Sequence, residues 1–336
     1  MIICVVYPNT GMSRKERTNP IARRDVLAGI GAAGVVGLAG CAGNGEENGE
    51  EEVEVVRWHA GGTGGTYFPL SGEIESVIEN NTDFNVEVSA TGASAENAGS
   101  LGAGDADFAL MQNDVAFFAR NGEEGFEDNQ IENLRGVATL YPETIHIITN
   151  PESEIESIAD LEGAAINTGD LGSGTQVNAL EILESVAGLT PNDFDEQNTD
   201  FTQAADQIRD GDIDAAFITG GWPVGAVEEL ATTADIDILN LDDDARETIG
   251  DAQPFFADDT IPAGTYEGIG DDVNTVAVQA MIGTREEYSA DTVESVTEAL
   301  FENLGDLTIK ADFISVDTAQ DGMSIDLHEG AARYFD

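Results

Sequence analysis

The sequence predicts an α/β fold built as two lobes around a central cleft. Three observations carry that prediction. From Val53 onward, apolar runs of strand length alternate with amphipathic helical stretches, the pattern of a mostly parallel sheet covered by helices. The alternation comes in two sets, each with a Gly-rich turn between a strand and a helix. A third section, 250–336, is too small and too gapped to make a domain, so it is read as returning to complete the first lobe. A chain of 336 residues with 41% hydrophobic content is long enough to bury a core of one or two domains.

In the first set, 53–60 (VEVVRWHA) reads as a strand, 61–69 (GGTGGTYFP) as a turn and 70–81 as an amphipathic helix. A strand at 84–92, a helix at 93–105 and a third strand at 106–114 (ADFALMQND) follow. In the second set, 144–150 (TIHIITN) is a strand, 157–163 helical, 164–169 a strand, 170–175 (DLGSGT) a turn and 176–188 a helix. A helix at 201–211, a strand at 214–221, a helix at 223–234 and a strand at 236–241 complete it. The third section reads as irregular over 251–268, then as a strand at 274–283 and a strongly periodic helix at 291–309. The expected division is lobe I from 54–146 and 276–336, with lobe II and the return segment at 147–275. Crossings are expected near Thr144–Asn150 and Asn274–Thr284.

Charge is the strongest compositional signal. Acids number 66 against 13 Lys and Arg, a net of −53. Five of the basic residues lie in the first 24 positions; from Cys41 onward eight face 64 acids, a net of −56 with Lys310 the single lysine. Such a surface repels itself in dilute buffer, whereas at about 1 M salt the Debye length falls to roughly 3 Å. The acids are spread along the chain, which reads as a halophile surface. No basic patch is left to meet phosphates, so nucleic acid is excluded as a partner.

The N-terminus reads as an address. Arg23-Arg24 precede an apolar, Gly- and Ala-rich run from Val26 to Ala39, as in a twin-arginine export signal. The run is short of the roughly 20 residues of a membrane span. It ends in Leu38-Ala39-Gly40-Cys41, a lipobox in which cleavage before Cys41 would leave a lipidated N-terminal residue. Residues 1–40 are thus expected to be a lipoprotein signal and 41–53 an acidic flexible linker that holds the domain off a lipid membrane. The first eleven residues fit no signal region, so Met12 is the expected start. The only other cysteine is Cys4, which excludes an internal disulfide or a Cys-based metal site in the mature chain.

Two turns are candidate binding elements: 61–67 (GGTGGTY) and Gly172-Ser173-Gly174-Thr175. At a strand-to-helix turn the first helical N–H groups are unpaired, glycine admits close approach, and Ser or Thr hydroxyls add donors, which suits an anionic group. Neither turn is a nucleotide fingerprint: GDLGSGT lacks the P-loop lysine, with Gln176 in its place. Catalytic signals are poor. Gly92-Ala93-Ser94-Ala95 begins like a nucleophile elbow but lacks the final glycine. His59, His146 and His328 are scattered without metal spacing. A binding protein that is not an enzyme, with neither metal nor cofactor, is expected.

Six motifs in order carry a family resemblance: GTGGTYFPLSGEIESVI, ATGASAENAGSLGAGDADFALMQNDVA, LRGVATLYPETIHII, SIADLEGAAINTGDLGSGT, IDAAFITGGWP and TIPAGTYEG, with IDLHEGAARYF at the end. Over about 54–336 the chain resembles the TAXI receptors, the solute-binding components of one branch of the tripartite ATP-independent periplasmic (TRAP) transporters. The resemblance implies a type II periplasmic-binding-protein fold that closes around its ligand. It also implies handover to a permease driven by a sodium or proton gradient, and a ligand that is a small organic acid or amino acid of the glutamate or glutamine kind. Carried over motif by motif, it implies Gly64, Gly65, Thr66 and Tyr67 on the first wall, with Ser94 and Asn97 in the TGASAEN turn. Gln112 and Asp114 then end the MQND strand, Asp114 as partner of a ligand ammonium or as a helix cap. Ser173, Gly174 and Thr175 face them from lobe II, and Trp222 walls the aliphatic part of the ligand or packs in the core. The alternatives are a ligand sensor, for which a neighbouring histidine-kinase gene would speak, and an anchored surface enzyme.

The charge generates a prediction: folding depends on salt. Thermal melts followed by circular dichroism from about 0.1 to 3 M KCl span strong repulsion to near-complete screening. The melting temperature is expected to climb with salt across that range; a flat profile removes the halophile reading.

Overall fold

The computed structural model describes residues 53–336. Met12, Arg23, Arg24, Cys41 and all but the last residue of the expected linker lie outside the described residues. Two α/β lobes stand side by side, joined by two strands that belong to both.

Lobe I begins with β1 (Val55–His59), α1 (Tyr67–Asn81), β2 (Asn85–Ser89), α2 (Ser94–Ala103) and β3 (Phe108–Gln112). Helix α1 forms because Leu70, Ile74, Val77 and Ile78 recur at helical spacing and all point inward. The strand read over 106–114 stops at Gln112; Asn113 and Asp114 instead open α3 (Asn113–Asn121). The cause is local. Asn113 Oδ1 accepts from its neighbour's amide and from Gln279 N–H, and Asp114 Oδ1 accepts from Val115 N–H, so these short polar side chains cap a helix start. Gly122, at φ 74°, ends α3 in the left-handed conformation.

β4 (Leu134–Thr149) begins ten residues before the expected strand start at 144. Its first part pairs with β10 (Val273–Arg285) up to Thr144; from Ile145 it pairs with β7 (Ala215–Thr219). β10 runs antiparallel between β3 and β4, and its start also pairs with β9 (Ala257–Ile261), a strand inside the segment expected to be irregular. The sheet order is β2-β1-β3-β10-β4-β7-β5-β6, with β5 at Ala165–Asn167 and β6 at Asp195–Gln197; β8 (Asp237–Ile238) pairs with β4. The strand expected over 236–241 thus shrinks to two residues at the edge.

Lobe II adds α4 (Gly174–Ala187), α5 (Phe201–Asp210), α6 (Gly225–Thr233) and α7 (Asp243–Ala252). Ser173 caps α4 and Asp200 caps α5, each through a side-chain oxygen that accepts an amide three residues on. The C-terminal part supplies α8 (Ala290–Glu302) and α9 (Glu329–Phe335) to lobe I. The periodicity over 291–309 overran the helix: Asn303 leaves helical geometry and Leu304–Asp306 make a 3-10 turn, because Asn and Gly hold helix poorly.

Four apolar clusters cover both faces of both halves of the sheet. Val296 and Leu300 of α8 join Leu70 and Ile74 of α1 on one face of lobe I, while Leu101, Met111 and Met281 sit on the other. Ile182 and Phe217 centre one face of lobe II, Ile208 and Val227 the other. β4 and β10 feed clusters in both lobes: Tyr141 and Ile282 in lobe I, Ile145 and Val276 in lobe II. No described helix is long and apolar enough to cross a membrane.

Candidate ligand site

The lobes enclose a cavity of about 860 Å³. Its lobe I wall is the Gly-rich turn from Gly61 to Tyr67, the turn from Ala90 to Ser94, Gln112 and Glu143. Its lobe II wall comprises Asp170, Leu171, Ser173 to Thr175, Asn198, Asp200 to Gln203 and Thr219. The N-termini of α1 and α4 both open on it, so unpaired amides from two helices converge there. The lining contains no Lys, Arg, His or Cys. An anionic group held here would meet amides and hydroxyls in place of a cationic side chain, with the carboxyls of Asp170, Asp200 and Glu143 in the same lining.

The lobes touch across the cleft. Thr66 Oγ1 donates to Gly221 O at 3.1 Å, and Ala226 N–H donates to Gly64 O at 3.1 Å. Gln112 Nε2 donates to Asn178 Oδ1 at 2.8 Å, and Asn178 Nδ2 donates to Asp114 Oδ2 at 2.6 Å. Gly174 is forced by this approach: a Cβ there would lie 1.5 Å from Gln112 Oε1. Outside the cavity, Lys310 reaches from lobe I, donates to Trp222 O, and stacks its ammonium 5.5 Å from the Trp222 ring and 5.8 Å from that of Phe313. Lys310 holds φ 58°, the left-handed region that a non-glycine residue occupies at a cost.

Nine of the twelve sequence-derived candidates line the cavity: Gly64, Gly65, Thr66, Tyr67, Ser94, Gln112, Ser173, Gly174 and Thr175. Three lie elsewhere. Asn97 is fully buried and donates to Ala60 O and Leu110 O, tying β1 to β3. Asp114 sits 1% exposed behind Gln112. Trp222 packs in the Lys310 clasp. Ala93 has φ 67° and ψ −141°, a conformation suited to glycine, so the strain of the GASA turn falls on Ala93 and not on Ser94, where a nucleophile elbow requires it.

Residues 59–336 match the family model described as the NMT1-like family. The chain belongs to the NMT1-like family. Among solved structures it is similar to PhnD1 from Prochlorococcus marinus (MIT 9301), solved with methylphosphonate, at 10% identity and a TM-score of 0.52 over 79% of this chain and 89% of that one. A protein of Bordetella bronchiseptica RB50 matches at 15% identity and a TM-score of 0.52, over 84% and 81% of the two chains. The substrate binding protein of an amino acid ABC transporter matches at 12% identity and a TM-score of 0.46, over 75% and 95%. At such identities the likeness is one of fold, and that fold is the two-lobed periplasmic-binding-protein fold.

The NMT1-like chain also places in the cavity a residue that sequence reasoning missed. Glu143 is 3% exposed, lines the cavity, and has Oε1 without a partner. Burial pushes its carboxyl up to about 8, against the opposing pull of Tyr141 and Lys310. The hydroxyls of Tyr67, Tyr141 and Thr219 are likewise buried without partners. In a chain with 66 acids one more Glu stands out only through its place in the apolar run 137–149. Asn178 was missed too; its one signal is a polar side chain in phase with Ala179 and Ile182 on the buried face of α4. Burial pushes Asp114 up to about 6, so its carboxylate is charged at neutral pH.

Two predictions follow from this geometry. Gly174→Ala should leave the unliganded fold intact, since alanine favours a helix over glycine, while its methyl group displaces Gln112 and opposes closure. Overpacking of that kind should weaken binding of the co-purified solute by roughly tenfold; unchanged affinity by calorimetry, with unchanged compaction in small-angle scattering, would show that the lobes need no closer approach. Glu143 binds its proton more tightly when folded than when unfolded, so its contribution to stability is complete below about 4.5 and fades as pH rises through about 8. Thermal melts of Glu143→Gln should show less loss than the parent across that window, by a few kcal/mol. Parallel curves would mean that the carboxyl titrates as it does in water.

Proposed function

We propose that this chain is an extracytoplasmic solute-binding receptor of the TAXI type. It captures a small organic acid or amino acid, glutamate- or glutamine-like, and delivers it to an ion-gradient-driven TRAP permease without catalysing a reaction. One observation carries the binding part of the reading: a cavity shared by two lobes, on which two helix N-termini converge and in which several buried polar groups lack partners. In this reading lobe I comprises 54–146 and 276–336, lobe II comprises 147–275, and the nine cavity-lining candidates contact the solute. The TAXI and TRAP assignment is supported by the ordered motifs of the sequence. PhnD1, which shares the fold, was solved with methylphosphonate, itself a small oxyanion.

The charge balance supports a high-salt exterior, and the Arg23-Arg24 and LAGC motifs support export and anchoring through Cys41 to the outer face of the cytoplasmic membrane. Mass spectrometry of small molecules released from protein purified in high salt should find an organic acid or amino acid, and calorimetry should show that it rebinds. A protein that carries and binds no such solute ends the receptor reading. Separately, Cys41→Ser should leave the membrane fraction or remain unprocessed; fractionation with membranes at the mature mass of the parent ends the anchor reading and leaves the receptor reading standing.

A further inference from the structure

The face that α4 turns toward lobe I is a single stripe. Gly174, Asn178 and Glu181 stand at i, i+4 and i+7, the spacing of one helix face. Each meets lobe I. Gly174 lies against Gln112 and Ser94, Asn178 donates to Asp114 Oδ2 at 2.6 Å, and Glu181 faces Asp114 and Glu124. The first two contacts are matched in shape and in hydrogen bonding. The third is not: both carboxyl oxygens of Glu181 are buried without a partner.

No counter-charge surrounds that carboxyl. Helix α3 presents Asp114 and the loop after it presents Glu124, both acids. The end of α7 brings Ala252 and Gln253, and the turn after α4 brings Leu189, Thr190 and Pro191. Glu184, exposed on the same helix, is a third acid. Asp114 can keep its charge because Val115 N–H and Asn178 Nδ2 donate to it; Glu181 receives no donor. A buried carboxylate with neither donor nor cation gives up its charge by taking a proton. A metal ion would need room for itself beside those sealed oxygens, and a proton needs none. Burial, and after it the charges of Asp114 and Glu124, push the Glu181 carboxyl up to about 8. Once the lobes part, Asp114 and Glu124 move away, water reaches Glu181, and it titrates in the ordinary carboxylate range.

We propose that closure of lobe II onto lobe I takes up a proton at Glu181, so that capture of a solute in the cavity is linked to proton binding at a residue the solute never touches. This rests on the reading of the cavity as a solute site on which the lobes close. The carboxylate takes one proton from water as the lobes meet and returns it as they part. The closed form holds the proton more tightly than the open form, so Glu181 favours capture most below about 4.5, where it is protonated in both. Its contribution to affinity then falls about tenfold per pH unit up to about 8 and is level above that.

Calorimetry in high salt tests this with L-glutamate, L-glutamine, L-malate and succinate as probes. A probe that binds is titrated in two buffers of unlike ionisation enthalpy, whose difference in heat counts the protons taken up. Glu143, the other raised carboxyl at the cavity, is present in every protein compared, so the readout is the difference between the parent and Glu181→Gln. At about pH 6.5 the parent should take up about one proton more per probe bound than Glu181→Gln. Between about pH 6 and 8 its affinity should fall at least tenfold further than that of the variant. Glu181→Leu, which removes both oxygens from a place that offers them no donor, should match Glu181→Gln. A purely structural role for Glu181 would change affinity by one factor at every pH and leave the proton count equal. Equal proton counts in the parent and both variants, or affinity profiles that run parallel with pH, overturn the proton-linkage inference and leave the receptor reading in place. If the parent binds none of the four probes, the organic-acid reading of the site falls, and the inference falls with it.

Discussion

β10 lies antiparallel between β3 and β4, and its pairing with both is the contact on which the rest of the molecule depends. Without it the sheet of lobe I would end at β3, and β4 before Thr144 would keep only a single bridge from Gly136 to Leu327. With it, a strand from the C-terminal part of the chain is locked between two strands that precede lobe II in sequence. In chain order the insertion completes lobe I after the elements of lobe II, and it gives the two lobes a double connection. Side-chain bonds reinforce it at both ends: Thr284 Oγ1 donates to Asp107 O, and Thr275 Oγ1 donates to Ile145 O, each at 2.7 Å. Arg285 and Arg57 converge on the buried Asp107, which spends two of the chain's few cations on holding β10 and β1 to the loop before β3.

The double connection explains why the cavity lies where it does. Two strands that run on from one lobe into the other leave the lobes free to rotate about them and little else. The helix N-termini above the strands then face each other across the gap. The hydrogen bonds across that gap are a threonine on a carbonyl, an amide on a carbonyl, and the Asp114, Asn178 and Gln112 relay, and beside them Phe117 and Phe118 of α3 meet Phe255 at ring centroids 5.1 and 5.7 Å. Polar contacts that water can replace cost little to break. The Lys310 clasp is a further link, since Trp222 and Phe313 flank the ammonium of the one lysine among the described residues. Burial pushes that ammonium down to about 8, with Glu143 and Asp259 pulling it back up.

The net charge and the site obey different ranges. An excess of acids acts over distances that salt screens. The amides and hydroxyls at the cavity act at hydrogen-bond length, where salt has no part. Protonation of Glu143 removes one further negative charge from the place where a solute anion would sit. In the proposed function an acidic protein would thus hold an acid with no arginine or lysine in the cavity lining.

The sequence by itself determined the alternation of strand and helix, the two Gly-rich turns and the charge. These are legible because they rest on local rules: the period of apolar residues, the freedom of glycine at a helix start, the count of charges. The same locality set the errors. Periodicity carried α8 past Asn303, and the MQND run was read as strand because the cap at Asn113 depends on Gln279, 166 residues away. Nothing local marks Glu143 or Asn178, since an acid in an acidic chain and an asparagine on a helix become site residues only when another element comes to face them. The tertiary structure alone decided that Asp114 stands behind Gln112 and not against the cavity, and that Trp222 meets Lys310. It also decided that Gly174 is glycine for want of space, because each of those facts is a contact between lobes that the chain order keeps 62 residues or more apart.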